Sequence, residues 1–274
     1  MAQRARSAPG RSATGSPPKS ALVVPAQVVA FVRSGLEPLA NPSKGCGMAA
    51  YMKTLQPFLG VQKPGRDPVF QEMCRSFPPA DASAYRSTVL ALWQAGTVEA
   101  LDRPDDAPKV RRDTALSPPM YQGPRELMYA ACAYAERFKD HHTPAHLPLF
   151  KRLIEEGGWW DIVDWVSDKM VGSALLRHRA GVAPVLRKWI KDENLWLRRA
   201  AVISQLSHKG ETDAAMLQEF ILECADEQDF FMRKAIGWAL RQHARTDPAF
   251  VRAFLTKHKS RLSTLSLREA GKHL

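Results

Sequence analysis

The strongest constraint on this chain is that it repeats itself. Arg198-Arg199-Ala200 returns as Arg233-Lys234-Ala235, 35 positions on, and Thr212-Asp213 returns as Thr246-Asp247, 34 positions on. Around these landmarks each unit has one grammar. A helix-period stretch of about 14 residues is followed by a polar turn with a Thr or Pro start signal, then by a second helical stretch. Strand signals are nearly absent. Helix pairs that recur in this way cannot bury their apolar faces singly and must stack on one another.

Read backwards from the landmarks, Pro124–Phe138 pairs with Ala145–Glu156, and Trp159–Val171 pairs with Val182–Lys191. Four helix pairs with a period of about 35 residues then cover 124–258, the size of a HEAT-like unit. The expectation is an all-α, HEAT-like helical-repeat solenoid with a concave basic surface, formed as a single domain over 25–274. Residues 26–100 are read as shorter helices that cap its N-terminal end. The stretch 102–122 breaks the period with Pro104, Pro108, Pro118 and Pro119 among mixed charges, and reads as a long, irregular, mobile loop.

Residues 1–20 hold Arg4, Arg6, Arg11 and Lys19 and no acid, so 1–24 read as a disordered basic tail. The apolar run Ala21–Val32 is interrupted by Pro25 and Gln27 and lacks a small-residue cleavage site, which argues against a secretory signal. An organelle transit peptide would share this composition. The expectation is a cytoplasmic protein, bacterial and nucleoid-associated if the DNA reading below holds.

The net charge of +11 favours an anionic partner, nucleic acid first. The bias sharpens at the end, where Arg252, Lys257, Lys259, Arg261, Arg268 and Lys272 face a single acid, Glu269. Such a stretch suits a rim that tracks phosphates, and equally a solvated face. No apolar run approaches the length of a membrane span. Cys46, Cys74, Cys132 and Cys224 show no zinc spacing and read as free thiols, mostly core fillers. His141-His142 reads as a solvated pair at a helix end or turn, and no metal or cofactor is expected. Phosphate-binding glycine loops, dinucleotide fingerprints and the metalloprotease and esterase motifs are all missing.

One constellation carries chemistry. Trp160 and Asp164 are four apart, one helical turn from each other on one face. Arg198-Arg199 lies on the next repeat and Trp238 on the one after. An indole face beside a carboxylate suits a cationic sugar. A purine alkylated at N3 or N7 already carries positive charge and leaves as a neutral base, so breaking its glycosidic bond needs no general acid. What remains is an oxocarbenium-like sugar, to be stabilised by a carboxylate, by tryptophan faces and by an aligned water. On that reading Asp164 supplies charge and orients the water, Trp160 and Trp238 wall the deoxyribose, and an arginine holds a flanking phosphate. The same residues also fit plain roles: tryptophans as core, Asp164 as a cap or salt bridge, Arg198-Arg199 as a surface pair. Spacing alone does not decide.

A resemblance bears on the choice. Met48-Ala49-Ala50-Tyr51-Met52-Lys53, Phe58-Leu59-Gly60-Val61, Trp159 through Asp164, Leu195 through Ala201, Phe230 through Leu240 and Arg268 through His273 stand in order along 45–274. Together they resemble the AlkD-like DNA alkylation repair proteins, a family of HEAT-like repeat DNA glycosylases. The resemblance implies Asp164 as the catalytic aspartate, Trp160 and Trp238 as sugar-facing tryptophans, Arg199 as the functional arginine, and Tyr51 near the lesion. Periodicity by itself does not choose between Arg198 and Arg199; Arg233 and Lys234 join them as DNA-binding candidates. The resemblance further implies a glycosylase that takes alkylated cationic purines from double-stranded DNA and leaves the lesion stacked; no lysine is placed by motif to form a Schiff base, so it is expected to be monofunctional, and a monomer is expected. The competing readings are a non-catalytic HEAT-like protein that binds unusual or damaged DNA, and a protein-binding helical scaffold.

Overall fold

A computed structural model describes residues 24–97 and 123–274, and every regular element among them is helical. The expected loop at 102–122 and, except for Val24, the expected tail at 1–24 lie outside the described residues. Helices α1 (Pro25–Leu36), α2 (Pro42–Met52), α3 (Lys63–Ser76) and α4 (Ala82–Gly96) precede α5 (Arg125–Arg137) and α6 (Leu147–Gly157). Next, α7 (Trp160–Trp165) runs through a π-helical turn, Val166–Val171, into α8 (Gly172–Arg177). Then follow α9 (Arg179–Trp189), α10 (Leu195–Ile203), α11 (Ala214–Glu223), α12 (Phe230–Ala244), α13 (Pro248–His258) and α14 (Thr264–Ala270).

The internal repetition has a physical meaning at each landmark. Asp213 and Asp247, the acids of the two Thr-Asp copies, are N-caps: their carboxylates accept from the backbone N–H of Met216 and Phe250 at 3.0 and 2.9 Å. Asn194 and Asp229 cap α10 and α12 in the same way. Each cap satisfies first-turn donors that have no partner within the helix, and each contributes about 1 kcal/mol. The Arg198 and Arg233 copies fall inside α10 and α12.

These helices build two layers. α5 meets α7, α7 meets α10, α10 meets α12, and α12 meets α14, an inner ladder of successive neighbours. α9 and α11 pack on α10, and α13 packs on α12, from the other layer. Fully buried aliphatics such as Val163, Leu197, Ile236 and Leu240 fill the space between repeats. The architecture is an all-α helical-repeat solenoid, and its pairs α5/α6, α7–α8/α9, α10/α11 and α12/α13 match the four inferred from the period.

Two expectations are corrected. The N-terminal helices are not short: α3 and α4 have 14 and 15 residues, against 15 in α12. Tyr85, Val89, Leu92 and Trp93 form a fully buried stripe along α4, which packs on α1 and α5, and only a full-length helix presents such a stripe. His142 is not solvated. It is completely buried, with Nε2 at 2.9 Å from the Ala135 carbonyl at the end of α5, and burial pushes its pKa down to about 4. The imidazole answers a carbonyl left over at a helix terminus, a demand invisible in sequence. Cys74, Cys132 and Cys224 are buried and Cys46 is exposed, all as free thiols. No helix among the described residues is long and apolar enough to cross a membrane.

Candidate active site

The site is organised around α7. Gly158 ends α6 in the left-handed region, at φ 48°, where a side chain would be strained. The chain therefore reverses sharply, and Trp160 opens the next helix at once. Two bidentate arginine–carboxylate pairs then clamp α7 from either side. From α5, Arg125 donates through Nε and Nη2 to Asp161 at 2.8 and 2.7 Å, and the Tyr129 hydroxyl donates to the same carboxylate. From α10, Arg199 donates through Nε and Nη2 to the two oxygens of Asp164 at 2.7 and 2.8 Å. Arg199 Nη1 donates to the Phe231 carbonyl at the start of α12. Planar forks on both sides fix the rotation of α7, and with it the direction of Trp160 and Asp164. The π-helical turn begins two residues after Asp164, an interruption often found beside functional sites.

A cleft of about 940 Å³ opens where these elements meet. Trp160 and Asp164 from α7, Arg199 from α10, and Lys234, Trp238 and Arg241 from α12 line it, together with Glu269 from α14. Tyr51 from α2, and Lys53 just beyond it, also line the cleft. Tyr51 is exposed and stands edge-on to Trp160, with ring centroids 6.4 Å apart. The segment behind Tyr51 is pinned to α5. The fully buried Glu126 carboxylate accepts from the N–H groups of Leu59, Gly60 and Val61, and Arg125 Nη1 donates to Gln56.

Asp164 is the chemically distinctive group. Its side chain is 16% exposed and that of Arg199 is 5% exposed. Burial pushes the Asp164 carboxyl above the ordinary aspartate value of 3.8, while the Arg199 guanidinium opposes the shift and nearby Asp161 and Asp168 add to it. A carboxylate offers about four lone-pair positions and Arg199 takes two, so acceptor capacity remains toward the cleft. At the far end, Glu269 accepts from Arg241 and Lys272 at 2.8 Å and from Lys234 at 3.1 Å. The ammonium groups of Lys272 and Lys234 hold its carboxyl down to about 2.

The fold thus brings Tyr51, Trp160, Asp164, Arg199, Lys234 and Trp238 into one cleft. It does not bring Arg198 or Arg233 there. Arg198 forks onto Glu227 at 2.8 Å and donates to the Asp192 and Glu193 carbonyls. Arg233 donates through Nε to the Asp229 carbonyl at 3.4 Å. Arg199 is also not the free phosphate holder that the sequence suggested: its guanidinium is buried and committed to Asp164 and Phe231. Lys53, Arg241 and Glu269 line the cleft without having been singled out as site residues. For Glu269 a signal existed, since it is the lone acid of a basic stretch.

A family model described as DNA alkylation repair enzyme matches residues 32–101 and 111–274. A solved structure described as a predicted DNA alkylation repair enzyme from Enterococcus faecalis is similar over 86% of this chain and 96% of its own, at 26% identity and a TM-score of 0.68. Among curated proteins no match is found. The matched residues take in the end of α1, all of α2 to α14 and every residue that lines the cleft, and on that extent the chain belongs to the DNA alkylation repair enzyme family.

Proposed function

We propose that the protein is a monofunctional DNA glycosylase that releases positively charged N3- and N7-alkylated purines from double-stranded DNA. It works as a monomer on a concave basic surface, in the cytoplasm at the nucleoid. The observation that carries this reading is a carboxylate, Asp164, held rigid by a two-pronged guanidinium in a cleft that Trp160 and Trp238 also line. The bond to be broken joins a sugar to a cationic base. As it lengthens, positive charge moves from the base onto the sugar, and the base departs neutral without a proton from the enzyme. Asp164, ionised, stabilises the developing oxocarbenium and orients a water on it, while the faces of Trp160 and Trp238 flank the sugar. Arg199 keeps the carboxylate from rotating away, and Lys53, Lys234 and Arg241 supply positive charge for the flanking backbone. The family resemblance further implies that the lesion is attacked while still stacked, unlike in enzymes that extrude it.

One observation favours a second reading, a non-catalytic binder of damaged DNA: the guanidinium already compensates much of the Asp164 charge. The two readings part in one experiment. Base release is measured from duplexes containing 7-methylguanine or 3-methyladenine, with wild type and Asp164→Asn. Release by wild type that collapses in the variant, with DNA binding retained, supports the glycosylase. No release by either, with salt-sensitive binding intact, supports the binder.

A further inference from the structure

The lone acid of the basic C-terminal stretch has a definite place. α14 lies so close to α12 that a Cβ on Gly237 would come within 2.5 Å of Glu269 Cβ and 2.9 Å of the Ser266 carbonyl. The fit is locked by the Ser266 hydroxyl, which donates to the Arg233 carbonyl at 2.9 Å. Glu269 is thereby inserted beside the residue that precedes Trp238, with its side chain only 6% exposed. Three cations converge on it, Lys234 and Arg241 from α12 and Lys272 from just past α14. The carboxylate is enclosed, yet the cations stay open, with side chains 38%, 23% and 48% exposed.

The spacing along α12 makes this cluster more than a surface ion pair. Lys234, Trp238 and Arg241 are four and three apart, so they form one stripe facing the cleft, with the indole between the two cations. Three positive groups against one carboxylate leave a surplus of two charges on the cluster, and two of its cations, Lys234 and Arg241, line the cleft on either side of the indole. A group bound there lies next to whatever Trp238 covers.

From this geometry we propose that Glu269 is a positioning residue: it gathers Lys234, Arg241 and Lys272 into a preformed clamp for one backbone phosphate of the nucleotide beside Trp238. The inference rests on the DNA reading above. The carboxylate has two effects. It spends the conformational freedom of long side chains before DNA arrives, and it cancels one charge, so that undamaged duplex is not held indiscriminately.

The test uses the full chain and three variants, Glu269→Gln, Glu269→Asp and Arg241→Gln. For each, affinity for undamaged and 7-methylguanine duplex is measured across salt concentrations, together with single-turnover base release and thermal stability. In Glu269→Gln, affinity for undamaged duplex rises about fivefold or more and the slope of log K against log salt steepens by about one. Base release by that variant slows about tenfold, because the cations no longer share one geometry. Glu269→Asp keeps the charge and stays near wild type in slope, while Arg241→Gln makes the slope shallower by about one. A Glu269→Gln protein that loses stability but keeps the wild-type slope and wild-type preference overturns the proposal, since Glu269 is then only a strut between α12 and α14. Wild type that binds duplex with a steep salt slope but releases no base leaves the clamp to stand on the slopes alone and removes the glycosylase reading. Wild type that does not bind duplex sinks both.

Discussion

Replacing Asp164 by Asn tests fold and chemistry together, because the carboxylate serves both. It takes two guanidinium hydrogen bonds at 2.7 and 2.8 Å, and neither partner's side chain is more than 16% exposed. Removing one partner of a buried ion pair costs about 3–5 kcal/mol. Here Arg199 keeps the Phe231 carbonyl, and an asparagine carbonyl still accepts one bond, so the loss is nearer about 2–3 kcal/mol. For a chain of this size that is a drop of roughly 5–10 °C in melting temperature. Arg199→Gln, which strands the carboxylate, costs a similar amount. The double variant sets two neutral amides face to face, and its stability exceeds the additive expectation by about 1 kcal/mol or more. Base release obeys a different rule, since it needs the charge. Preorganised electrostatic stabilisation is worth about 100- to 1,000-fold in rate, so Asp164→Asn loses that much, and the double variant recovers none of it. Thermal denaturation and single-turnover release of 7-methylguanine on the four proteins measure both quantities. Release that returns with stability in the double variant would refute the catalytic role of the Asp164 charge. Strictly additive stability losses would refute the coupling of the pair.

Three further outcomes follow from the same geometry. Because burial raises the Asp164 pKa and only the ionised form assists the reaction, release rises with pH through a value above the ordinary 3.8, and a pH profile of the single-turnover rate constant locates it. Glu269, lowered from 4.5 to about 2, contributes stability that is complete above about pH 4.5 and is lost as pH falls toward 2. With the open ends of its cations discounted, this amounts to about 2 kcal/mol; acid denaturation of Glu269→Gln should lack that part of the pH dependence. Gly237→Ala forces a methyl against Glu269 and Ser266 and costs about 1–3 kcal/mol despite alanine's better helix propensity, and a melting temperature equal to wild type would show that α14 yields freely.

Much of this molecule was legible in one dimension because helical repeats are local objects. Caps such as Asp213 and Asp247 act on N–H groups three residues away, and the stripe of Trp160 and Asp164 needs only 3.6 residues per turn. Periodicity did not choose between Arg198 and Arg199; only the family resemblance pointed to Arg199. Adjacent helical residues point about 100° apart, and which one meets Asp164 depends on how α10 rotates against α7, 35 residues earlier in the chain. The burial of His142 escaped for the same reason, since its partner is a spare carbonyl at the end of another element.

The sequence by itself determined that the chain stacks helix pairs, that it carries surplus positive charge, and that an indole and a carboxylate share a helix face. Those properties are set by periodicity, composition and spacing within one or two turns. Tertiary structure alone decided that Arg199 locks Asp164, that Tyr51 meets Trp160 edge-on, and that Glu269 gathers three cations, two of them beside Trp238 in the cleft. Each of these joins residues at least 28 positions apart, apart from the neighbouring Lys272, and such contacts exist only once repeats have packed and close approach at Gly237 has fixed their register.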